Sequence, residues 1–328
     1  MTKLFLQLVA ICISINMYGQ GPLNITPGGI INGPYIQEDV PTKRMIPYEY
    51  VREADVIWSR RLWQSIDLRE KINHPLYFPF DTYDASNNWQ KNNTTLSLWT
   101  ILKTHILNGD LQVFSPYNPL QFDIIDGDEL KYPIDHKPGL DFISDTAYNK
   151  ILFSYLGKLG EQSLTPCVTF FGEDSTRTLE DGTIEYVYPP RDTLWILSQD
   201  IIQYHIKEDW FFDKERSVMD VRIIAIAPVV YNKDDQGQIT GTKELFWLYF
   251  PHCRFVLNNY YVFNEHNDAQ WMSFDDLFWK RRFSSVIYKE SNVYDRKIEG
   301  YKSGVEALFE AEKIKEEIRT IEHDVWNY

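Results

Sequence analysis

Apolar residues recur every three or four positions in several parts of the chain, which is the spacing of an amphipathic α-helix. Pro75 follows the first of these parts and would stop a helix there. Asn108-Gly109 follows the second, and the third has Asp145 as an N-cap and Gly160 as a stop. The pattern predicts helices over four segments: 48–72, 96–107, 145–160 and 192–206.

Strand patterns dominate the later middle of the chain. Residues 183–188 alternate between polar and apolar, and 218–231 form a long apolar stretch interrupted by Pro228. A polar turn then leads back through a second apolar run, 245–250. The two long runs predict a hairpin that lies inside the fold, is covered on both faces by helices and would lose a few kcal/mol on Ile224→Ala.

Two charged residues, Asp220 and Arg222, lie within the first arm of that hairpin. Buried charges are seldom left single, so a paired polar notch in the core is the first interpretation. A contact point for a partner protein is the second.

The C-terminal residues 303–328 show a narrow apolar seam flanked by Glu, Lys and Arg, as in a coiled coil. The seam covers only about two heptads, so the helix needs a surface to pack on, either its own domain's or a partner's. The seam consists of Ala311, Ile314, Ile318, Ile321 and Val325.

Residues 20–47 contain five prolines and four glycines, which exclude a helix or a central strand. Isoleucines and a tyrosine are interspersed, whereas a pure linker would be more polar. We expect an extended arm that docks on its own domain or on a neighbour. The candidate partner contacts are Ile30, Ile31, Tyr35 and Ile36 in the arm, with Ile314, Ile318 and Ile321 in the C-terminal helix.

The first nineteen residues have the layout of a secretory signal peptide. Lys3 gives the positive region, residues 4–15 are mostly apolar, and Gly19 precedes an expected cut before Gln20. Cys12 lies within the apolar stretch and follows Ile11, so lipidation is not expected there.

The fold class that follows is α+β, with mixed helices and antiparallel hairpins around a single compact core. The expected divisions are a signal peptide (1–19), an extended arm (20–47), the core (48–300) and a charged C-terminal helix (301–328).

The formal net charge of −14 argues against nucleic acid and anionic lipid surfaces as partners, because both repel an acidic protein. No segment after residue 19 is apolar for long enough to span a bilayer, so direct membrane insertion is not expected. Once the signal is removed, Cys167 and Cys253 are left. They could form one disulfide in an oxidising compartment or remain free thiols.

No motif of a known catalytic, cofactor or metal site stands out. The seven histidines include no His-x-x-x-His pair, and there is no Gly-x-Ser-x-Gly or phosphate-binding glycine loop. His105 and His205 fall in predicted helices. The acidic run 123–129 lacks the spacing of an EF-hand and fits an Asp-Gly turn better than a calcium site.

Several long stretches resemble the GldN (PorN) gliding-motility family and its paralogue GldO. The most characteristic is Lys207-Glu-Asp-Trp-Phe-Phe-Asp-Lys-Glu-Arg-Ser-Val-Met-Asp-Val-Arg-Ile-Ile-Ala-Ile-Ala-Pro-Val. Others are Asn32-Gly-Pro-Tyr, Val56-Ile-Trp-Ser-Arg-Arg-Leu-Trp and Asn73-His-Pro-Leu-Tyr-Phe-Pro.

The resemblance implies a non-catalytic periplasmic part of the type IX secretion system, which exports proteins and supports gliding. It also implies an outer-membrane lipoprotein of the GldK (PorK) type as partner, many copies in a ring, and contact with the periplasmic part of GldM (PorM). A periplasmic hydrolase or glycan-binding protein is the alternative class. A complex far larger than the 38.8 kDa chain would favour the ring.

Overall fold

The computed structural model describes most of the chain from residue 45 onward and two short segments before it. The described ranges are 25–26, 29–30, 45–83, 89–90, 95–118, 121–125, 129–137, 139, 144–159, 165–168, 174–178, 184–189, 193–233, 237–262, 272–294 and 296–326.

Helices and strands are mixed along these ranges, and the α+β prediction is confirmed. The α-helices are α1 (His74–Tyr77), α2 (Leu98–Leu107), α3 (Thr146–Leu156), α4 (Phe250–Leu257), α5 (Phe274–Trp279) and α6 (Val305–Trp326). The strands are β1 (Ile25–Thr26), β2 (Gly29–Ile30), β3 (Val56–Asp67), β4 (Thr82–Tyr83), β5 (Trp89–Gln90), β6 (Val113–Ser115), β7 (Tyr117–Asn118), β8 (Gln121–Ile125), β9 (Tyr132–Ile134), β10 (Gly157–Leu159), β11 (Thr176–Thr178), β12 (Ile184–Tyr186), β13 (Thr193–Trp195), β14 (Ile201–Asp213), β15 (Val218–Lys233), β16 (Ile239–Glu244), β17 (Trp247–Tyr249) and β18 (Val286–Glu290). Short 3₁₀ turns lie at Glu53–Asp55, Lys71–Asn73, Ser198–Asp200 and Ile298–Gly300.

An eight-stranded antiparallel sheet organises the fold. Its order is β18-β3-β14-β15-β17-β6-β9, and β16 also pairs with β15. The long strand β14 lies between β3 and β15. Gln203 of β14 pairs with Asp67 of β3, and His205 of β14 pairs with Ala227 of β15. Side chains on successive residues of β14 therefore point to opposite faces of the sheet.

The helix predicted over 48–72 is wrong, because this segment contains the central strand β3. Val56, Trp58 and Arg60 are half-buried, whereas Ile57, Ser59 and Arg61 between them are exposed, which is the period of a strand. From Leu62 onward β3 is buried on both faces, so the alternation disappears from the sequence.

The helix predicted over 192–206 is also wrong, because β13, a 3₁₀ turn and the start of β14 occupy this range. His205 consequently lies in a strand and not in a helix. Most of β14 is buried, and a buried strand has the continuous apolar character that a short helix can also have.

The predicted hairpin of residues 218–231 and 245–250 is confirmed, with its returning arm split into β16 and β17. Strand β15 is continuous through Pro228, which was expected to break it. Pro228 lies opposite the gap between β16 and β17, where its carbonyl accepts a hydrogen bond from the Leu245 amide at 3.0 Å. A proline nitrogen has no hydrogen to donate, so β15 has no N–H donor at Pro228. The returning arm is interrupted between β16 and β17 at this position.

Ile224 is half-buried, which corrects the expectation that it is a core residue. The pairing of β14 with β15 shifts between Lys207↔Ala225 and Glu208↔Ile223, which leaves Ile224 as the extra residue of a β-bulge. Its neighbours Ile223 and Ile226 are buried and belong to the core.

The main core lies between one face of the sheet and the helices. Ile66, Tyr204 and Ile226 of the sheet pack with residues of α2, α3, α4 and α5 in one cluster, and we call this side the helical face. The opposite face of the central strands carries a smaller cluster of Trp63, Ala225, Ala227 and Trp247, and we call it the second face. The middle of the hairpin is thus covered on both sides, and among the described residues helices supply the cover on the helical face alone.

The predicted end of α2 at Asn108-Gly109 and the predicted N-cap of α3 are confirmed. The Ser97 side chain accepts a hydrogen bond from the Thr100 amide at 3.2 Å at the start of α2, and Gly109 follows its end with φ +82°. Asp145 caps α3 through the Ala147 and Tyr148 amides, as predicted. The helix ends at Leu156, before the predicted stop at Gly160, because β10 begins at Gly157.

The C-terminal helix is confirmed as α6, and it packs on its own chain. Ala311, Ile314 and Ile318 are buried against Leu62, Ile287 and Ile298 in a cluster beside β3 and β18. The sequence left open whether this helix packs on its own domain or on a partner. In the structure it packs on its own domain.

The chain divides into two compact units, Met1–Lys43 and Arg44–Tyr328. In the first, β1 and β2 form a small antiparallel pair with Ile25 opposite Ile30. The second unit begins at Arg44, ahead of residue 48, where the core was expected to start.

Candidate functional site

The candidate partner contacts fall into two groups. Ile314 and Ile318 are buried in the chain's own core, so the role of partner contact does not suit these two residues, while Ile321 is half-buried. Ile30 lies in β2, and its side chain is outside the described residues, as are Ile31, Tyr35 and Ile36.

Asp220 and Arg222 do not form the predicted pair with each other. The nearest cation to the Asp220 carboxylate is Arg216, whose Nη2 lies 3.6 Å from Oδ2. Arg222 instead donates from Nη2 to the backbone carbonyl of Glu49. Arg222 therefore contacts the segment with which the second unit begins.

Three arginines hold that entering segment, and we call Arg216, Arg222 and Arg254 the N-terminal clamp. Arg254 Nη2 donates to the Ile46 carbonyl at 2.7 Å, and Arg216 bonds the Glu49 carboxylate. Together with the Arg222 bond to Glu49, these contacts fix the backbone of residues 46–49.

Tyr48 is the aromatic residue at the centre of the clamp. The guanidinium carbon of Arg254 lies 4.3 Å from its ring centroid and that of Arg222 lies 5.3 Å away, both in cation–π range. The Trp279 ring stacks on Tyr48 at 5.4 Å. Burial raises the pKa of the Tyr48 phenol, although the positive charge of Arg254 opposes this.

A buried ion pair holds Arg254 of the N-terminal clamp in place. Arg254 Nε and Nη2 donate to the two carboxylate oxygens of Asp275 at 2.7 and 3.1 Å. Arg254 lies on α4 and Asp275 lies in the first turn of α5, and both are buried. Two parallel bonds of this kind fix the orientation of the guanidinium as well as its charge.

The second face of the sheet carries a buried Lys–Glu pair. Lys207 Nζ lies 2.7 Å from Glu129 Oε2, and Trp63 Nε1 donates to the other oxygen of Glu129 at 2.7 Å. Lys289 Nζ lies 4.4 Å from the Trp63 ring centroid. Glu129 closes the acidic run for which a turn was expected, and its role here is to neutralise Lys207; residues 126–128 lie outside the described part.

His205 belongs to a second buried network on the same face. Its Nδ1 lies 2.8 Å from Glu244 Oε1, and Trp247 Nε1 donates to Glu244 Oε2 at 3.1 Å. Burial alone would raise the pKa of Glu244. The hydrogen bond and charge of His205, together with the charge of Lys297 and the hydrogen bond from Trp247, lower that pKa instead. The Tyr288 ring lies 4.4 Å from His205, and burial raises the pKa of Tyr288 well above its usual value.

Glu208 is the buried acid of the helical face. It accepts two hydrogen bonds from Arg281, at 2.7 and 3.2 Å, and one each from Gln64 Nε2 at 2.8 Å and Trp210 Nε1 at 3.1 Å. These donors come from β3, β14 and the turn after α5, so the acid joins three parts of the fold.

A family comparison decides the identity. The family model of gliding motility associated protein GldN matches residues 51–327, which is most of the chain and nearly all of the second unit. This chain belongs to the GldN family. The resemblance seen in the sequence is thereby confirmed, and the chain is a gliding-motility and type IX secretion component. No curated protein matches it.

In this GldN-family chain the polar networks have the geometry of structural groups. Glu129, Glu208, Glu244 and Asp275 each accept hydrogen bonds from fixed protein donors, which occupies the oxygens that a substrate or metal would need. Among the residues that the structure describes, no three His, Cys, Asp or Glu side chains are grouped so as to hold a metal ion.

In the part of this GldN-family chain that the structure describes, Cys167 and Cys253 are free thiols. Cys253 is buried in α4, and its burial raises the pKa of the thiol to about 12. Cys167 is half-buried near β11. Of the helices in the described ranges, none is both long and apolar enough to cross a membrane.

Sequence reasoning missed the networks around Arg254, Lys207 and Glu208. Their partners are 21, 78 and 73 residues away, and no local spacing connects them. Only the register of the sheet and the docking of α5 bring them together.

Proposed function

We propose that this protein is a non-catalytic structural component of the type IX secretion system that works in the periplasm. It is held at the outer membrane by a lipoprotein of the GldK (PorK) type, and many copies of the pair form a ring. The ring supports protein secretion and gliding, and the periplasmic part of GldM (PorM) contacts it. The observation that carries this proposal is the GldN-family match over residues 51–327.

The buried networks support a structural role. In each, an acid is paired with an arginine, lysine or histidine, and three of the four acids also accept a hydrogen bond from a tryptophan N–H group. These contacts fix strands and helices relative to one another. Buried polar networks of this kind stabilise one arrangement of a fold when every member has a partner. The N-terminal clamp supports the same role, because it fixes residues 46–49 directly after the expected arm.

Copurification from envelope membranes tests the assembly. We expect the extracted protein to run far above 38.8 kDa and to carry an outer-membrane lipoprotein with it. A variant lacking residues 20–40 is expected to assemble less while its melting temperature is unchanged, because the second unit begins only at Arg44. A full-length protein that elutes as a monomer without a lipoprotein would refute the ring. A variant that assembles normally but melts early would assign the arm to its own domain.

Export is tested separately by sequencing the N-terminus of the protein in the envelope fraction. The mature chain is expected to begin near Gln20 without a lipid, because Gly19 ends a signal-like segment. Retention of Met1, or a lipid on Cys12, would contradict a soluble periplasmic protein.

A further inference from the structure

The hairpin formed by β11 and β12 is exposed on both of its faces. All three residues of each strand are exposed, and Ile184 and Tyr186 of β12 are 69% and 51% exposed. Tyr188 follows on the same side of the chain and is also exposed, and we call these three residues the apolar row. A two-stranded hairpin that packs on nothing is only marginally stable in water. The apolar row therefore needs a further surface to cover it.

The outer edge of β12 carries backbone groups that can pair with another strand. The Val187 amide donates to the Ser175 carbonyl, at the base of β11, at 2.8 Å. Successive residues of a strand direct their backbone groups to alternate sides, so those of Ile184 and Tyr186 point away from β11. Among the described residues no strand pairs with β12 on that outer side.

Both ends of the eight-stranded sheet are protected in a way that β12 is not. At one end, β9 has Pro133 at its centre, and proline cannot donate to a neighbouring strand. At the other end, Lys289 of β18 forms an antiparallel bridge with Lys297, and α6 packs beside the strand. Prolines, lysines and covering elements are the usual means that keep sheet edges from pairing with another chain. Residues 184–188 contain neither proline nor lysine, so this edge is open to a partner strand.

The residue pattern of the hairpin indicates what that partner is. Thr176 and Thr178 of β11 lie opposite Tyr186 and Ile184, so the hairpin is polar on one strand and apolar at the open edge. Two copies joined edge to edge at β12 would place both apolar rows in the centre of a four-stranded sheet, with the threonines on the outer strands. Such a sheet has the number of strands and the apolar face that a stable sheet requires.

Pairing between two copies also has a register that suits the side chains. In an antiparallel pairing centred on Tyr186, this residue lies opposite its own copy, and Ile184 lies opposite Tyr188 of the second copy. Aromatic pairs and pairs of an aromatic with a β-branched residue stabilise neighbouring strands. Glu185 then faces Val187. A pairing centred on Glu185 would instead oppose two like charges, which is destabilising.

We propose that β12 is a docking edge for β12 of a second copy of this chain, in the antiparallel register centred on Tyr186. A twofold contact of this kind joins copies in pairs, so it is additional to the ring and does not depend on it. The contact involves only residues 184–188 on each side, so the dimer is expected to be weak in dilute solution.

Disulfide trapping of the purified full-length protein, without any lipoprotein, tests the register. Tyr186→Cys is expected to give a disulfide-linked dimer under mild oxidation, because opposed residues have Cα atoms about 5.5 Å apart. Ile184→Cys is the matched control, since it is also an exposed apolar residue of β12 but lies opposite Tyr188 of the second copy and not opposite itself. It is expected to remain monomeric alone and to cross-link when mixed with Tyr188→Cys. The parent protein, with Cys167 and Cys253 as free thiols, gives the background.

Sedimentation equilibrium measures the dimer without a cross-link. Tyr186→Lys is expected to raise the dissociation constant at least about tenfold, because two like charges would then lie opposite each other at the centre of the pairing. Thr178→Lys adds the same charge to the same face of the hairpin on the outer strand, and it should leave the dissociation constant unchanged. Circular dichroism of each variant checks that the protein remains folded.

Three results would overturn the proposal. Equal cross-linking by Tyr186→Cys and Ile184→Cys would show random collision and not a register. An equal loss of the dimer with Thr178→Lys would reduce the effect to overall charge. A cross-link from Tyr186→Cys to a different envelope protein, with no dimer of the purified chain, would assign the edge to that partner. None of these results bears on the ring, because the lipoprotein is absent from the purified samples.

Discussion

Asp275→Ala is expected to destabilise the second unit by about 3–5 kcal/mol, because it leaves the Arg254 guanidinium buried without its carboxylate. The Ile46 carbonyl would remain as an acceptor, but a single neutral acceptor does not compensate a buried cation. Such a loss is large against the total stability of about 5–15 kcal/mol that is usual for a folded domain. Urea unfolding followed by tryptophan fluorescence measures it.

The neighbouring Asp276 provides a matched control. It lies in the same first turn of α5, so both substitutions remove one negative charge from the same helix start. The Asp276 side chain is 42% exposed and its pair with Lys280 is 3.8 Å long, so Asp276→Ala is expected to change stability by about 0.5 kcal/mol or less. Equal losses for the two variants would show that helix electrostatics, and not the buried pair, explains the effect.

Ile226→Ala is expected to cost about 2–5 kcal/mol, through lost burial and the cavity left behind. Ile226 is 1% exposed, lies opposite Ile206 of β14 and Leu248 of β17, and belongs to the main core. Strands pair with it on both sides, so the backbone has little freedom to close the cavity. The free energy of unfolding in urea is again the measurement.

Ile224→Ala is the matched substitution, with the same atoms removed two residues away. Ile224 is half-buried in the bulge of β15, so we expect a loss of about 1 kcal/mol. Comparable losses at both positions would mean that the bulge is as tightly packed as the regular strand.

The contrast between these isoleucines illustrates what the sequence could predict. The long apolar run 218–231 predicted the hairpin correctly, because a continuous stretch of this length has few alternatives. The bulge depends on how β15 pairs with β14, and no feature within the run encodes that pairing. The choice of Ile224 as a core residue was wrong for this reason.

The helices α2 and α3 were predictable because their signals are local. Asp145 caps α3 within three residues, and Gly109 lies two residues after the end of α2. Strand β3 lacked such signals. Arg60 lies on its inward side, near Glu290 at 3.4 Å and Glu317 at 3.2 Å, and this charged residue hides the alternation of a strand.

The candidate site was less accessible to sequence reasoning than the fold. The sequence alone shows that no known catalytic motif stands out, and it also shows the resemblance to the family. The N-terminal clamp did not come from the sequence, because it combines side chains from distant parts of the chain. Arg254 and Ile46, for example, are 208 residues apart.

The position of β3 also sets the order in which the molecule can fold. It is the first long strand in the described part of the chain, yet it lies between β14 and β18. Its contacts span 148 residues from Arg61 to Asp209 and 221 residues from Gln64 to Ser285. Contacts between such distant segments form slowly, since a long loop must close before they stabilise anything. In a chain that crosses a membrane N-terminus first, both edges of β3 are unpaired until β14 has arrived, and one edge stays unpaired until β18 follows. Folding is then deferred to the last stage of translocation, and a chaperone that covers strand edges during that interval would protect the protein from aggregation.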